Sequence, residues 1–180
     1  MSSPSYDCLC AGIIVADHVC QAIDHLPRPG ELVLTDQMEL TIGGCASNVA
    51  SDLARLDRQV AIAGIVGQDV FGRYVEERLM QSGVHCDYLM KSEELPTSGS
   101  FVINVQGEDR RFIHSVAANA LFTGETVTHE QIESSRILYL GGYCLSEELS
   151  PENVAEMFRM AKEAGVTTVL DVVTPKPADY

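Results

Sequence analysis

Gly43 and Gly44 stand side by side immediately before a helical pattern that runs from Ala46. Glycine lets a backbone approach a ligand closely, and the first turn of a helix carries N–H groups without intrahelical partners. Asn48, on that first turn, both donates and accepts hydrogen bonds. The same glycine pair also serves as a plain turn. It is not a Walker phosphate loop, because Lys and Ser/Thr are missing at the required places, and no G-x-G-x-x-G follows the first strand. Asp17 follows the first predicted strand, where ligands gather in open α/β sheets. Asp69 and Asp171 hold comparable positions, and each of the three suits a turn or cap as well as a ligand. Together, Asp17 and Asn48 would clamp hydroxyl groups, since a carboxylate accepts two hydrogen bonds and an amide gives one and takes one.

The other reactive residues follow no catalytic or metal pattern. His18, His25, His85, His114 and His129 have no ligand spacing, and neither H-E-x-x-H nor G-x-S-x-G occurs, so no metal site is expected. No two of the six cysteines make a C-x-x-C pair; Cys8 and Cys10 share one face of a strand and read as small core residues. Reduced thiols point to a cytoplasmic protein. Arg110 and Arg111 follow the turn 106–109 and read as a solvated hairpin end, with a phosphate-facing role as the alternative. The net charge of −14, from 26 acidic and 12 basic residues, argues against nucleic-acid and anionic-membrane partners. The apolar run 8–16 is too short to span a bilayer and lacks the basic flank of a signal peptide.

The elements that must position these residues alternate between strand and helix. Asp7–Ile14, Val60–Val66, Ile137–Leu140 and Val166–Leu170 are apolar runs of the kind buried on both faces of a sheet. Ala46–Leu56 and Phe71–Gln81 carry helical periodicity, with Gly83 just past the second. Thr128 opens a capping box with Gln131, and Ser150 caps a helix with Pro151 at its first position and Gly165 beyond its end. Such alternation predicts a parallel sheet with helices on its faces, in a single domain over 1–180. Two stretches break it. Residues 31–42 and 98–115 alternate apolar and polar side chains, and are expected to be antiparallel strands of a small β lid.

The run Gly43-Gly44 with Asn48, then Ala54-Arg55-Leu56, then Gly67 with Asp69, Phe71 and Gly72, then Leu79 and Gly83-Val84, resembles the N-terminal signature of the ribokinase-like (PfkB) sugar and nucleoside kinases. The hairpin from Gly107 to Arg110, the stretch from Asn119 and the strand end Tyr139 to Gly142 are similar too. The resemblance implies a ribokinase-like α/β fold, a three-layer parallel sheet with a small antiparallel β lid. It implies transfer of the ATP γ-phosphate to a hydroxyl of a sugar or related polyol, with Mg2+ and a monovalent cation in the complete enzyme. It places Asp17, Gly43, Gly44 and Asn48 on the substrate hydroxyls, Arg110 near the transferred phosphate and Tyr143 beside the sugar. It also implies a homodimer through the lid. Asp57 stands where the family usually has Gly, and Cys45 and Val15 are apolar where polar contacts are common.

The family's Thr-x-Gly-Ala-Gly-Asp stretch, whose Asp is the general base, and its Asn-x-x-Glu magnesium element are expected beyond Tyr180. No catalytic residue is therefore expected within the 180 residues, which are read as truncated before the C-terminal nucleotide-binding part. Residues 174–180 carry no terminal signal. A missing base removes about 10²–10⁴ in rate and a missing anion hole about 10²–10³, so this stretch alone is expected to be inactive. A bare sheet edge leaving on the order of 1,000 Å² uncovered would forgo about 25 kcal/mol of burial. The alternative reading is a non-catalytic sugar-binding or dimerising module. A nicotinamide-dependent oxidoreductase is weaker, for want of the glycine fingerprint.

Overall fold

The computed structural model describes residues 5–145 and 148–173; the closing segment 174–180 lies outside them. In chain order the elements are β1 Tyr6–Gly12, β2 Val15–Cys20, β3 Met38–Gly43, α1 Cys45–Arg55, β4 Val60–Gly67, α2 Val70–Gln81, β5 His85–Ser92, β6 Gly99–Ile103, β7 Arg111–Ser115, a 3-10 turn Ala117–Leu121, α3 His129–Glu133, β8 Ser135–Tyr143, α4 Pro151–Glu163 and β9 Thr167–Val172.

The main sheet has the order β5-β4-β1-β8-β9, and every pairing in it is parallel. Strand alternation divides its side chains between two cores. Cys8, Cys10, Val60 and Ile62 pack with Ala50, Val75 and Leu79 of α1 and α2. Leu9, Ala11, Ala61, Leu138 and Leu140 pack with Phe122, Ile132 and Met157 beneath α3 and α4. These are the three layers expected of a doubly covered parallel sheet. The caps fall where the sequence places them. Thr128 and Gln131 make the reciprocal capping box, and Ser150 accepts from the Asn153 N–H with Pro151 behind it. β9 is an edge, with Val169, Leu170 and Val172 half exposed.

The first strand is shorter than expected. β1 stops at Gly12, whose φ of +124° and contact with the Gly141 carbonyl (2.2 Å from any added Cβ) force the chain to turn. After Ile13 and Ile14 the chain enters β2, so Asp17 lies within a strand and not in a loop.

β2 belongs to a second, four-stranded sheet of order β3-β2-β6-β7, the lid. It is mixed, not purely antiparallel: β2 pairs β3 antiparallel and β6 parallel, and β6 pairs β7 antiparallel. β1 and β5 run the same way in the main sheet, and each is followed in the chain by a lid strand, β2 and β6, which also run the same way. The strand expected over 31–42 begins only at Met38. Met38 is opposite Cys20, the last residue of β2, so 31–37 have no strand to pair with. Leu32 and Leu34 are accordingly 79% and 82% exposed. Within 98–115 the strands are β6 and β7, separated by the turn around Gly107.

Candidate functional site

The glycine pair joins the lid to α1. Gly43 ends β3, and Gly44 is the helix N-cap with φ 92° and no side-chain cap. A Cβ on Gly44 would stand 2.5 Å from the Ile13 carbonyl, and one on Gly43 would stand 1.9 Å from Asp17 Oδ2. The second contact shows what the glycine does: its missing side chain makes room for the Asp17 carboxyl. The helix start is only partly free, since the Ala46 N–H donates to the Ile13 carbonyl at 3.1 Å. Ser47 is fully buried and its hydroxyl donates to the carbonyls of Gly44 (3.0 Å) and Gly43. Asn48 is exposed one residue further along the first turn.

Asp17 is half-buried, and its Oδ1 is buried without a hydrogen-bond partner in the protein. Burial raises its pKa above 3.8; the Ser100 hydroxyl and the charges of His114, His18 and Arg110 oppose the rise. The structure thus brings Asp17, Gly43 and Gly44 into one junction, with Asn48 on the helix that leaves it. Arg110 is exposed on the β6–β7 hairpin, with its guanidinium 5.4 Å from the centre of the Phe112 ring. Tyr143 ends β8, packs against the core layer of Phe122 and Met157, and its backbone carbonyl accepts from the Val173 N–H at 2.8 Å.

The other two aspartates separate. Asp69 is a cap: Oδ1 accepts from the Gly72 N–H (2.8 Å) and the Thr97 hydroxyl (2.7 Å), and Oδ2 from the Thr97 N–H (2.8 Å). Those bonds hold its pKa low although burial acts against them. Asp171 accepts from the Tyr139 hydroxyl at 3.1 Å and lies beside Cys45. Burial first, then Asp171, pushes the Cys45 thiol up to about 12, so it is a protonated, unreactive side chain.

Asn119 is a residue that its own chemistry did not single out in the sequence. It is fully buried; its Nδ2 donates to the Ile14 carbonyl (2.9 Å) and its Oδ1 accepts from the Ile14 N–H (3.2 Å). It therefore holds the crossover between β1 and β2 that delivers Asp17. The signal was a lone amide among apolar neighbours in 116–122.

Several concavities among the described residues lie elsewhere. One of about 740 Å³ is lined by Asp7, Arg58, Arg136 and Thr167 at the amino ends of the main strands, whereas ligands of such sheets gather at the carboxyl ends. Another of about 330 Å³ lies between the lid and Phe71 of α2, lined by His18, Phe101 and Ile113 and also by Ser100 and His114; the strand positions of His18, Phe101 and Ile113 put them on the opposite lid face from Asp17.

A three-layer parallel sheet with a mixed lid, and the Asp17 carboxyl seated against Gly43 where the two meet, make the architecture expected of a ribokinase-like fold. The pfkB family carbohydrate kinase model matches residues 6–180, and the chain belongs to that family. It is 29% identical over 154 residues to a ribokinase of Arabidopsis thaliana, covering 83% of this chain and 40% of that protein. It is 34% identical over 124 residues to a fructokinase of Vibrio alginolyticus, covering 68% of this chain and 40% of the relative. The structure of the Arabidopsis ribokinase complexed with ribose and ATP shares the fold, with a TM-score of 0.74 at 24% identity over 95% of this chain and 54% of that one. The chain spans between 40% and 52% of the length of the curated ribokinases of Arabidopsis thaliana and Haemophilus influenzae.

Proposed function

We propose that the complete protein transfers a phosphoryl group from ATP to a hydroxyl of a sugar or related polyol, and that the residues described here supply the substrate-binding part. The observation that carries this reading is Asp17 Oδ1, a buried acceptor without a protein partner, on a carboxyl that fits against the bare backbone of Gly43. A carboxylate so placed accepts hydrogen bonds from hydroxyl groups, and Asn48 on the adjoining helix turn adds a donor and an acceptor. Gly44, at φ 92°, lets the Ile13 carbonyl close against the start of α1, which fixes the junction that carries Asp17 and Gly43. Arg110, on the lid hairpin, contributes positive charge toward Asp17 and is assigned to the side of the phosphate; Tyr143 is assigned to the border of the sugar.

Among the described residues no cluster of carboxylates, histidines or thiols is arranged to hold a metal ion. We assign ATP, Mg2+ and a monovalent cation to other segments of the complete kinase, where the metal would neutralise phosphate charge. The general base is assigned there too, which makes these residues alone inactive. No helix among the described residues is long and apolar enough to cross a membrane; the free thiols support a cytoplasmic place for the protein.

A second reading, a sugar-binding or dimerising module without catalysis, draws on the apolar lid side chains Met38, Phe101, Phe112 and Ile113, all exposed. Titration calorimetry with a panel of sugars, alongside ATP turnover by the same full-length protein, separates the two. Sugar binding with turnover is expected. Sugar binding without turnover in the full-length protein would sink the kinase reading and leave the module.

A further inference from the structure

Thr41, Asp17, Ser100 and His114 stand side by side on the four lid strands, in the register Asp17↔Thr41, Asp17↔Ser100 and Ser100↔His114. Directly paired residues share a face, so their side chains form one polar row beside Gly43. Ser100 Oγ lies 3.0 Å from His114 Nδ1. Two atoms of the row are buried with no hydrogen-bond partner, Asp17 Oδ1 and His114 Nε2. Orphaned buried polar groups are rare in folded proteins, and two in one row argue for a ligand that completes both.

The chemistry of the missing partner follows from the atoms. Burial lowers the His114 pKa below 6.5 against the pull of Asp17, so the ring is neutral near pH 7. If the Ser100 hydroxyl donates to Nδ1, Nε2 carries the proton and donates. If Nδ1 donates to Ser100, Nε2 accepts. A hydroxyl satisfies Nε2 in either tautomer, and a hydroxyl also donates to Asp17 Oδ1. An anionic group would meet the charge of Asp17. β2 and β7 are two strand spacings apart, about 9–10 Å between backbones, so the two orphans address separate hydroxyls of one ligand.

We propose that Asp17, Ser100 and His114 form a lid-side subsite for an uncharged polyol, in which His114 is a specificity residue reading a hydroxyl distinct from the one bound by Asp17. It rests on the sugar-binding reading above. The test is titration calorimetry of the full-length protein with a sugar that binds and with its monodeoxy derivatives, for the native chain, His114→Phe and His114→Gln. One monodeoxy derivative should bind the native chain about five- to tenfold more weakly than the parent sugar, the worth of one hydrogen bond. His114→Phe should weaken the parent sugar by the same factor and leave that derivative unchanged. His114→Gln, which keeps a donor and an acceptor, should retain most of the affinity. Equal losses for every sugar in His114→Phe would mean a packing role and overturn the subsite, as would no loss at all. If His114→Phe does not fold, Ser100→Ala takes its place in the same cycle, with the same pattern of loss expected and a uniform or absent loss overturning it. Asp17→Asn separates the two levels. If it loses sugar while the lid variants do not, the subsite fails and the sugar site stands; if the native chain binds no sugar, both fail.

Discussion

Asp17 is held at a cost to the fold. Its folded pKa lies above 3.8 because burial disfavours the carboxylate. The native state therefore keeps a proton that the unfolded state has released, and stability falls as pH rises from the unfolded value through the folded one. At neutral pH the penalty is complete. Asp17→Asn removes the charge, so its thermal midpoint at pH 7 should rise above that of the native chain, and the difference should vanish below pH 4. Sugar affinity should fall by about tenfold or more, the worth of a hydrogen bond to a charged acceptor. Scanning calorimetry across pH, with sugar titration at pH 7, checks both halves. Asp69 gives the opposite result. Asp69→Ala abandons the Gly72 and Thr97 N–H groups and should cost about 1–3 kcal/mol in urea unfolding, with sugar affinity unchanged. In the sequence these two aspartates look alike, each just past a predicted strand. What separates them is Thr97, 28 residues from Asp69, and Gly43, 26 residues from Asp17. Contacts at that separation leave no local pattern.

The elements that the sequence discloses are those with their own punctuation. α2 and α4 each carry a helical period with a terminating glycine just beyond it, and α4 also has Ser150 and Pro151 at its start; each is found within a residue or two of its expected bounds. β2 and β5 carry none. In β2, Val15-Ala16-Asp17-His18-Val19-Cys20 sets polar residues beside apolar ones, because its two faces meet different surroundings: Asp17 meets Gly43 and His18 meets Phe71. β5 is an edge strand of mixed burial, His85-Cys86-Asp87-Tyr88, and has no continuous apolar run to announce it. The alternation at Leu32 and Leu34 misleads for the converse reason, since a period of two implies a strand only where a neighbour exists to pair with. The crossover from β1 to β2 depends on one side chain. Asn119→Ala would leave both the N–H and the C=O of Ile14 buried without a partner, at about 2–4 kcal/mol together. Asn119→Asp, which keeps one acceptor, should lose less; urea midpoints of the two variants check the order.

Assembly is where the lid matters to the whole molecule. The main sheet hides its strands between helices, and its order follows from alternation. The lid has only one face packed onto α2, through Phe71 and the Tyr74 hydroxyl that donates to the Leu40 carbonyl. Its parallel β2–β6 pair was not legible, because the pairing joins segments eighty residues apart whose direction is set by the main sheet. The lid leaves Phe101 and Ile113, cross-strand partners, 52% and 63% exposed, with Met38 and Phe112 exposed on the outer strand and hairpin. Adjacent exposed apolar side chains on a sheet whose outer strands are unpaired invite either a second chain or aggregation. We expect the full-length protein to be a homodimer through this lid. Phe101→Glu with Ile113→Glu puts a like-charged pair on both copies and removes two apolar contacts from each, at about 1.5–3 kcal/mol per side chain, so association should weaken by roughly a hundredfold or more. Sedimentation velocity should then show a monomer at concentrations where the native chain is a dimer. A dimer that survives both changes with unchanged mass would place the interface on another surface. A native protein that is monomeric throughout would leave the exposed lid to ligand closure alone.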